Sequence, residues 1–344
     1  MRVVAINLLL MLVLGIAALL AFEFLLVGEK KLQRLLYYSV NPWQKNSYEG
    51  DFFITLQPDK TIRSYARYGD EVDYDTTFAT DSNGFRNDKV LPLDGSIVSV
   101  VGDSFTLGTG GPNWVETLSS HHRNLRAFFF YNSGISGTGT RHWMTLIDYL
   151  HRDMGVDRFV VITIEEDLTR KKLYSVEGQD GRISKCLGDD CTPMDIITNE
   201  ELGYLYLERK NPLAFYFPKT HAYLYLPLKR SLRREVPHAK QKRFDAFFAF
   251  LKSRDRSKFL WIKIPSKTGV RLGTSSYRLP AKAANIVYVE AECFNGLADF
   301  YPNDGHPNEM GYARLSRCIA EIIAQHIGVL IPKNADPSES HYEQ

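Results

Sequence analysis

Three short stretches of this 344-residue sequence carry residue types that nucleophilic chemistry needs. The first is Gly102-Asp103-Ser104-Phe105, directly after a Val-rich run at 97–101. The second is Asn132-Ser-Gly-Ile-Ser-Gly137, and the third is Asn303-Asp304-Gly305-His306-Pro307-Asn308. A serine hydroxyl becomes a nucleophile when a histidine takes its proton and a carboxylate fixes the histidine's tautomer and stabilises its charged form. Asp304 and His306 share parity in an extended segment, so both can point the same way. The oxyanion that then develops needs backbone N–H donors. A side-chain-free turn at Gly137 can offer one beside the N–H of Ser104. Each piece also has a plainer reading. Asp103 and Ser104 can simply cap a following helix, and a late histidine is more often a capping or surface residue. What favours chemistry is the combination.

The elements around these residues explain how they can meet. The run at 97–101 is too short for a helix and reads as a fully buried strand. From there strand and helix patterns alternate, with helices expected at about 114–125, 141–154, 244–251 and 310–327. Trp143, Leu146, Ile147 and Leu150 sit at helical spacing in the second of these. Strands are expected at 127–131, 158–164, 258–264 and 286–289. Alternation of this kind implies a parallel sheet with helices on both faces, and ligands bind such sheets at the carboxyl ends of the strands. Pro307 and Asn308 suit a helix start, leaving His306 in the loop before it. Residues 48–80 read as a small β-meander or hairpin. The turn at 81–86 ends in Arg86, placed either to clamp its loop or to pair a carboxylate. Residues 170–240 are irregular, aromatic and basic, and read as an insertion forming a cap or substrate wall.

Composition narrows the function classes. With 42 Lys+Arg against 40 Asp+Glu, nothing suggests a general electrostatic grip on nucleic acid. The basic run at 229–234, continued by Lys240, Lys242 and Arg243, reads as a solvated helix face, with an anionic polymer or lipid surface as the sharper alternative. Residues 3–27 are almost wholly apolar and long enough to cross a bilayer, and no small-residue cleavage site follows. An uncleaved N-terminal anchor is expected, followed by a basic helical segment to Tyr38. Lys30, Lys31 and Arg34 behind the span favour a cytoplasmic domain by flanking charge. The four cysteines point outward: Cys186 with Cys191, and Cys293 with Cys318, make two possible disulfides and no metal-binding spacing. Export is the better balance.

Gly102-Asp-Ser104-Phe, Asn132-x-Gly-x-x-Gly137 and Asp304-x-His306-Pro-Asn, in that order, resemble the SGNH (GDSL-type) hydrolase superfamily across residues 81–325. Asp81-x-x-Gly-Phe-Arg86 is similar to its membrane-anchored branch found with bacterial surface-polysaccharide genes. The resemblance implies a flavodoxin-like three-layer α/β/α sandwich, with Ser104 as nucleophile, His306 as base and Asp304 as orienting acid. It further implies an oxyanion hole that includes the Ser104 and Gly137 N–H groups, and no metal or organic cofactor. Two departures stand out. The acid lies two residues before the histidine, as in alginate O-acetyltransferase-like relatives, with Asn303 at the commoner position. The third strand ends in Glu165-Glu166-Asp167 where the superfamily usually has an asparagine donor, so either Glu166 or Asp167 turns away or is protonated, or the oxyanion hole has only two donors.

The expected organisation is an anchor at 1–28, a juxtamembrane and small β segment at 29–80, a hydrolase-like domain at 81–330 and a polar tail at 331–344. The leading functional expectation is a serine esterase or acyltransferase working on O-acyl, above all O-acetyl, groups of a surface polysaccharide. It would be held by a single span in the bacterial inner membrane with its catalytic domain on the periplasmic side. Two alternatives stand beside it. One is a non-catalytic glycan-binding or assembly factor, motivated by the acidic third strand end. The other is a lipase, motivated by the anchor and by the aromatic residues between 204 and 225.

Overall fold

The computed structural model describes residues 11, 13–18, 20–21, 35–38, 43–68, 71–88, 96–177, 183–187, 190–193, 237–273, 277–278 and 283–330. The chain forms two compact units. One comprises Met1–Tyr38, Ala66–Val72 and Asp195–Val236; the other comprises Ser39–Tyr65, Asp73–Met194 and Pro237–Gln344 and holds every candidate site residue. Among the described residues no helix is long and apolar enough to cross a membrane, and most of the apolar run at 3–27 lies outside them. The aromatic run at 204–225 and the basic run at 229–234 also lie outside the described residues.

The segment expected to be helical up to Tyr38 is instead a strand at its end. β1 (Leu35–Tyr38) pairs antiparallel with β4 (Thr61–Tyr68), setting Tyr38 opposite Ala66. Leu-Leu-Tyr-Tyr fits a pleated surface, and a partner strand overrides the helical reading. β2 (Trp43–Tyr48) and β3 (Asp51–Leu56) form a hairpin that begins earlier than the expected β segment. Its two turn residues, Glu49 and Gly50, both have positive φ, which matches the twist of a two-residue hairpin. β5 (Glu71–Ala79) lies beside β4.

The larger unit is built on five parallel strands: β6 (Ser96–Gly102), β7 (Phe128–Gly134), β8 (Arg158–Thr163), β12 (Lys258–Lys263) and β13 (Ile286–Glu290). Their order is β13-β12-β8-β6-β7. Counted along these five strands alone, that is the flavodoxin-like order, with its switch point between β6 and β8. The doubly wound α/β expectation therefore holds. Side chains alternate between two cores. Val98 and Val100 join Trp114, Leu118, Tyr312, Leu315 and Ile319 on one face. Val101, Phe159 and Val161 join Trp143, Ile147, Phe244 and Phe247 on the other. Burial on both faces explains why these strands are continuous apolar runs rather than alternating ones. The chain reverses direction across the sheet after β7: Trp114 and Leu118, before β7, pack on one face, and Trp143 and Ile147, after it, on the other.

The helices are α1 (Ser104–Leu107), α2 (Leu118–His121), α3 (Thr140–Arg152), α4 (Pro237–Ser253), α5 (Lys267–Leu272), α6 (Glu309–Gln325) and α7 (Ile327–Leu330). Three differences from the sequence expectation matter. The helix expected at 114–125 is broken into single turns, because His122 adopts an extended conformation. The strand expected to stop at Tyr131 runs on to Gly134, since Asn132, Ser133 and Gly134 find ladder partners in Val100, Val101 and Gly102. Part of the insertion expected to be irregular is a three-stranded antiparallel sheet of β9 (Leu173–Glu177), β10 (Ile183–Leu187) and β11 (Asp190–Pro193).

Cys293 and Cys318 are joined, with their Cα atoms 5.5 Å apart. Cys186 is disulfide-bonded and sits in register opposite Cys191. The first bridge spans 25 residues and ties the segment after β13 to α6. Replacing Cys293 and Cys318 together by serine should lower the unfolding free energy by about 3 kcal/mol, measurable as a shifted denaturant midpoint.

Candidate active site

The nucleophile candidate owes its place to close packing at the end of β6. A Cβ on Gly102 would lie 2.0 Å from Thr106 Oγ1, so only glycine lets the chain fold back into α1 at this point. Asp103 caps that turn, its Oδ1 accepting from Phe105 N–H at 2.8 Å. The plain capping role is thus real, and it belongs to Asp103. Ser104, the next residue, is 4% exposed, and its hydroxyl donates to Asp103 Oδ2 at 3.4 Å. The loop after α1 is fastened through its carbonyls. Arg86 donates to Leu107, Gly108 and Gly111 oxygens, Tyr312 to Thr109 and Tyr301 to Gly110. Arg86 is therefore a buried clamp on the nucleophile turn; it pairs carbonyls, not the carboxylate that its position also allowed. Burial lowers its pKa, and the carbonyls it holds satisfy its donors.

His306 and Asp304 meet as their parity predicts. His306 Nδ1 lies 2.8 Å from Asp304 Oδ1, which also accepts from the N–H groups of Gly305 and His306. Asp304 is 6% exposed. Burial raises its pKa, but hydrogen bonds from His306, Tyr74 and the Gly305 N–H more than offset that, and the net result lies below the ordinary aspartate range. An ionised acceptor on Nδ1 makes that nitrogen the donor and leaves Nε2 bare as the basic nitrogen. Phe105, adjacent to Ser104, packs its ring 5.9 Å from the His306 ring, which brings the two blocks together. The Ser104 hydroxyl is bonded to Asp103 rather than to His306.

Two residues that local sequence patterns did not reveal hold the His306 loop from opposite sides. Asp73, in β5, accepts from Asn303 N–H at 3.0 Å, Asn303 Nδ2 at 3.0 Å and Asp304 N–H at 2.6 Å. Lys267, at the start of α5, donates to the carbonyls of Tyr301, Pro302 and Asp304. Burial lowers the Lys267 pKa, against the pull of Asp73 and Asp304. Donors and acceptors of one loop are thus satisfied by a single carboxylate and a single ammonium. Asn303, at the commoner acid position, is committed to Asp73 and leaves the orienting role to Asp304. Asp73→Ala should cost about 2 kcal/mol of stability and lower kcat/KM about 10²-fold through misplacement of His306. A urea melt and initial rates on a small ester check both.

Gly137, the expected oxyanion donor, has a φ of +77°, which favours glycine. An added Cβ there would approach the Trp43 ring at 3.2 Å, so Trp43 of the first hairpin walls this side of the site. The loop is tied to β6 by Ile135 N–H donating to Gly102 O. Asn132 holds the same region: its Nδ2 donates to Thr106 O and to Asn113 Oδ1, and its Oδ1 accepts from Gly134 N–H.

Each residue of the acidic third block has partners of its own. Glu166 accepts from Ser266 Oγ at 3.1 Å, and Glu165 pairs with Lys240. Asp167 is fully buried, its Oδ2 accepting from Ile164 N–H at 2.9 Å and its Oδ1 lying 2.7 Å from Arg170 Nη1. Burial, then the charge of Asp103, push the Asp167 pKa well above the ordinary value, and Arg170 only partly offsets them. No asparagine donor stands here; the cation that meets Asp167 is Arg170, which no local sequence pattern singles out. Among the described residues no group of three or more His, Cys, Asp or Glu side chains can hold a metal ion.

No protein-family model and no curated protein sequence matches the chain. Solved structures do resemble it. An α/β hydrolase enzyme from the metagenome of Lake Arreo, Spain, is 14% identical with a TM-score of 0.35, covering 69% of this chain and 97% of that one. A GDSL-like lipase from Bacteroides thetaiotaomicron is 10% identical with a TM-score of 0.31, covering 69% and 93%. A carbohydrate esterase family 2 enzyme with its carbohydrate-binding domain, from Corynascus thermopiles (Myceliophthora fergusii), is 12% identical with a TM-score of 0.32, covering 86% and 90%. At that level of similarity the likeness says nothing of activity; what the chain can do is read from its own side chains.

Proposed function

We propose that this chain is a serine esterase or acyltransferase of the SGNH type, with Ser104 as nucleophile, His306 as base and Asp304 as its orienting acid. The observation that carries the proposal is the 2.8 Å contact between His306 Nδ1 and Asp304 Oδ1, held at the switch-point edge of the sheet beside the Ser104 turn. In the reaction, Nε2 takes the Ser104 proton as Oγ attacks the acyl carbon, and the tetrahedral oxyanion is received by the Ser104 and Gly137 N–H groups. Protonated His306 then gives its proton to the departing sugar oxygen, leaving an acyl-serine. Water or a second hydroxyl resolves that ester, which separates hydrolase from transferase after a shared first half.

The substrate class proposed is an O-acylated, chiefly O-acetylated, surface polysaccharide. An aromatic wall such as Trp43 beside the oxyanion loop suits a sugar ring. The proposed setting is the periplasmic face of a bacterial inner membrane, with an N-terminal tether. Support for export comes from the Cys293–Cys318 bridge, which fits an oxidising compartment. Support for the tether comes from Met11, Val13, Leu14, Ile16 and Leu20, which are helical and exposed.

The test is covalent. A fluorophosphonate should add one phosphonyl group to the intact protein, mapping to the peptide that contains Ser104, and acetyl content of the polymer should change when the protein is supplied. A protein that is folded and stays unlabelled sinks the catalytic reading. Full complementation of a deletion by Ser104→Ala would assign the binding or assembly role instead.

A further inference from the structure

A site that lacks its usual amide donor must hold the remaining donors well, and here one side chain touches every block behind the nucleophile. Arg170 Nη1 donates to Asp103 Oδ2 at 2.8 Å and to Thr138 O at 2.7 Å, and lies 2.7 Å from Asp167 Oδ1 as an ion pair. These three acceptors belong to different parts of the site. Asp103 caps the Ser104 turn and, through the same Oδ2, accepts from the Ser104 hydroxyl. Thr138 follows Gly137 in the oxyanion loop. Asp167 ends the third strand's carboxyl edge, and its backbone carbonyl packs against Gly139, where an added Cβ would come within 2.3 Å.

The electrostatics point the same way. Asp103 and Asp167 are buried to 1% and 0% exposure, yet they face a site where negative charge must develop. Two uncompensated carboxylates behind an oxyanion would oppose its formation in a low-dielectric setting. A guanidinium bonded to one and ion-paired with the other reverses that effect, and the pair in turn holds the guanidinium charged.

We propose that Arg170 is a positioning residue for acyl transfer: its Nη1 locks the Ser104 turn to the Gly137 loop and balances the two carboxylates behind the oxyanion. This rests on the acyl-transfer reading above. Arg170 acts through the groups it holds, so its loss should lower the rate of oxyanion formation while leaving substrate binding in place. Displacing a donor by about 1 Å, or losing one, costs about 10²-fold in rate.

The informative variant is Arg170→Met combined with Asp167→Asn, which removes the cation and one of its two carboxylates and leaves Asp103 only its bonds from the Phe105 N–H and the Ser104 hydroxyl. With p-nitrophenyl acetate, the expected result is kcat lowered about 10²-fold and KM little changed in a protein that is still folded, with a lower melting temperature because Asp103 loses its cation. Should that double variant not fold, Arg170→Lys gives the same readout, because a shorter ammonium keeps the charge without the guanidinium's reach. Unchanged kcat in whichever variant folds overturns the proposal. Ser104→Ala, measured alongside, separates the two levels. If it retains turnover, the serine mechanism falls; if it is inactive while the Arg170 variant is fully active, only the positioning role falls.

Discussion

Ser104→Ala should lower ester turnover by about 10⁶-fold while leaving the melting temperature nearly unchanged. The two halves of this expectation have separate physical grounds. In the proposed mechanism covalent catalysis has no substitute atom: without Oγ no acyl-enzyme forms, and what survives is oxyanion stabilisation and binding, which leave about 10³–10⁴-fold over water. Stability, by contrast, barely involves the hydroxyl. Its single hydrogen bond is 3.4 Å long, and the acceptor, Asp103 Oδ2, keeps its stronger contact with Arg170 at 2.8 Å. No acceptor is orphaned and the cavity is one oxygen atom, so the usual mechanisms of large destabilisation are absent. Turnover on a chromogenic ester and a thermal melt decide the matter together. A variant that melts normally and still turns over at the original rate would remove Ser104 from the chemistry.

That contrast explains why the turn is so heavily fastened elsewhere. Arg86, Tyr301 and Tyr312 take the carbonyls of the loop after Ser104, so the nucleophile itself need contribute nothing to order. The hydroxyl is left free to move between Asp103 and His306, while everything around it is fixed. Preorganisation of this kind places the ordering cost in folding rather than in the reaction.

What could be read in the sequence is governed by distance along the chain. The pairing of Asp304 with His306 was legible because both are distinctive residue types two apart in one loop, and Ser104 stood out as a serine directly after a buried strand. Their neighbours within three residues (Gly102, Pro307, Asn308) carry the local reason for the geometry. The parallel sheet was legible for a similar reason: strands buried on both faces leave continuous apolar runs. Asp73 was not legible. It sits 230 residues from Asn303, in a strand whose alternation looks like any half-exposed strand. Lys267 and Arg170 were missed in the same way, as single charges in ordinary polar contexts whose meaning lies in what the fold brings to them. Broken regularity was equally hidden. Residues 114–125 have a helical pattern, yet Trp114 donates its indole N–H to Phe105 O, and Thr117 and His121 both bond Ser316 in α6. Those long-range bonds win over local propensity, and the segment breaks into single turns.

Asp304→Asn is expected to lower kcat about 10⁴-fold with little change in KM. The substitution preserves shape and removes the reason for one tautomer. Asp304 Oδ1 now accepts from His306 Nδ1 at 2.8 Å and from two backbone N–H groups. An asparagine can still serve those backbone donors with its carbonyl oxygen, but it can also present its NH₂ to Nδ1. The imidazole would then carry its proton on Nε2, the nitrogen that must be bare to receive the Ser104 proton. It would also lose the charge that stabilises the imidazolium formed during attack. The pH dependence separates this from a folding defect. Because the Asp304 carboxyl is held below the ordinary aspartate range, it is ionised throughout the neutral region, and its contribution to stability is lost only as pH falls through its own lowered pKa. The variant therefore lacks the carboxylate at every pH where activity is measured, and raising the pH cannot restore it. Rates should stay far below those of the starting protein at every pH from 6 to 9, and an Asp304→Asn profile that recovers full activity at any of them would show that Asp304 does not orient His306.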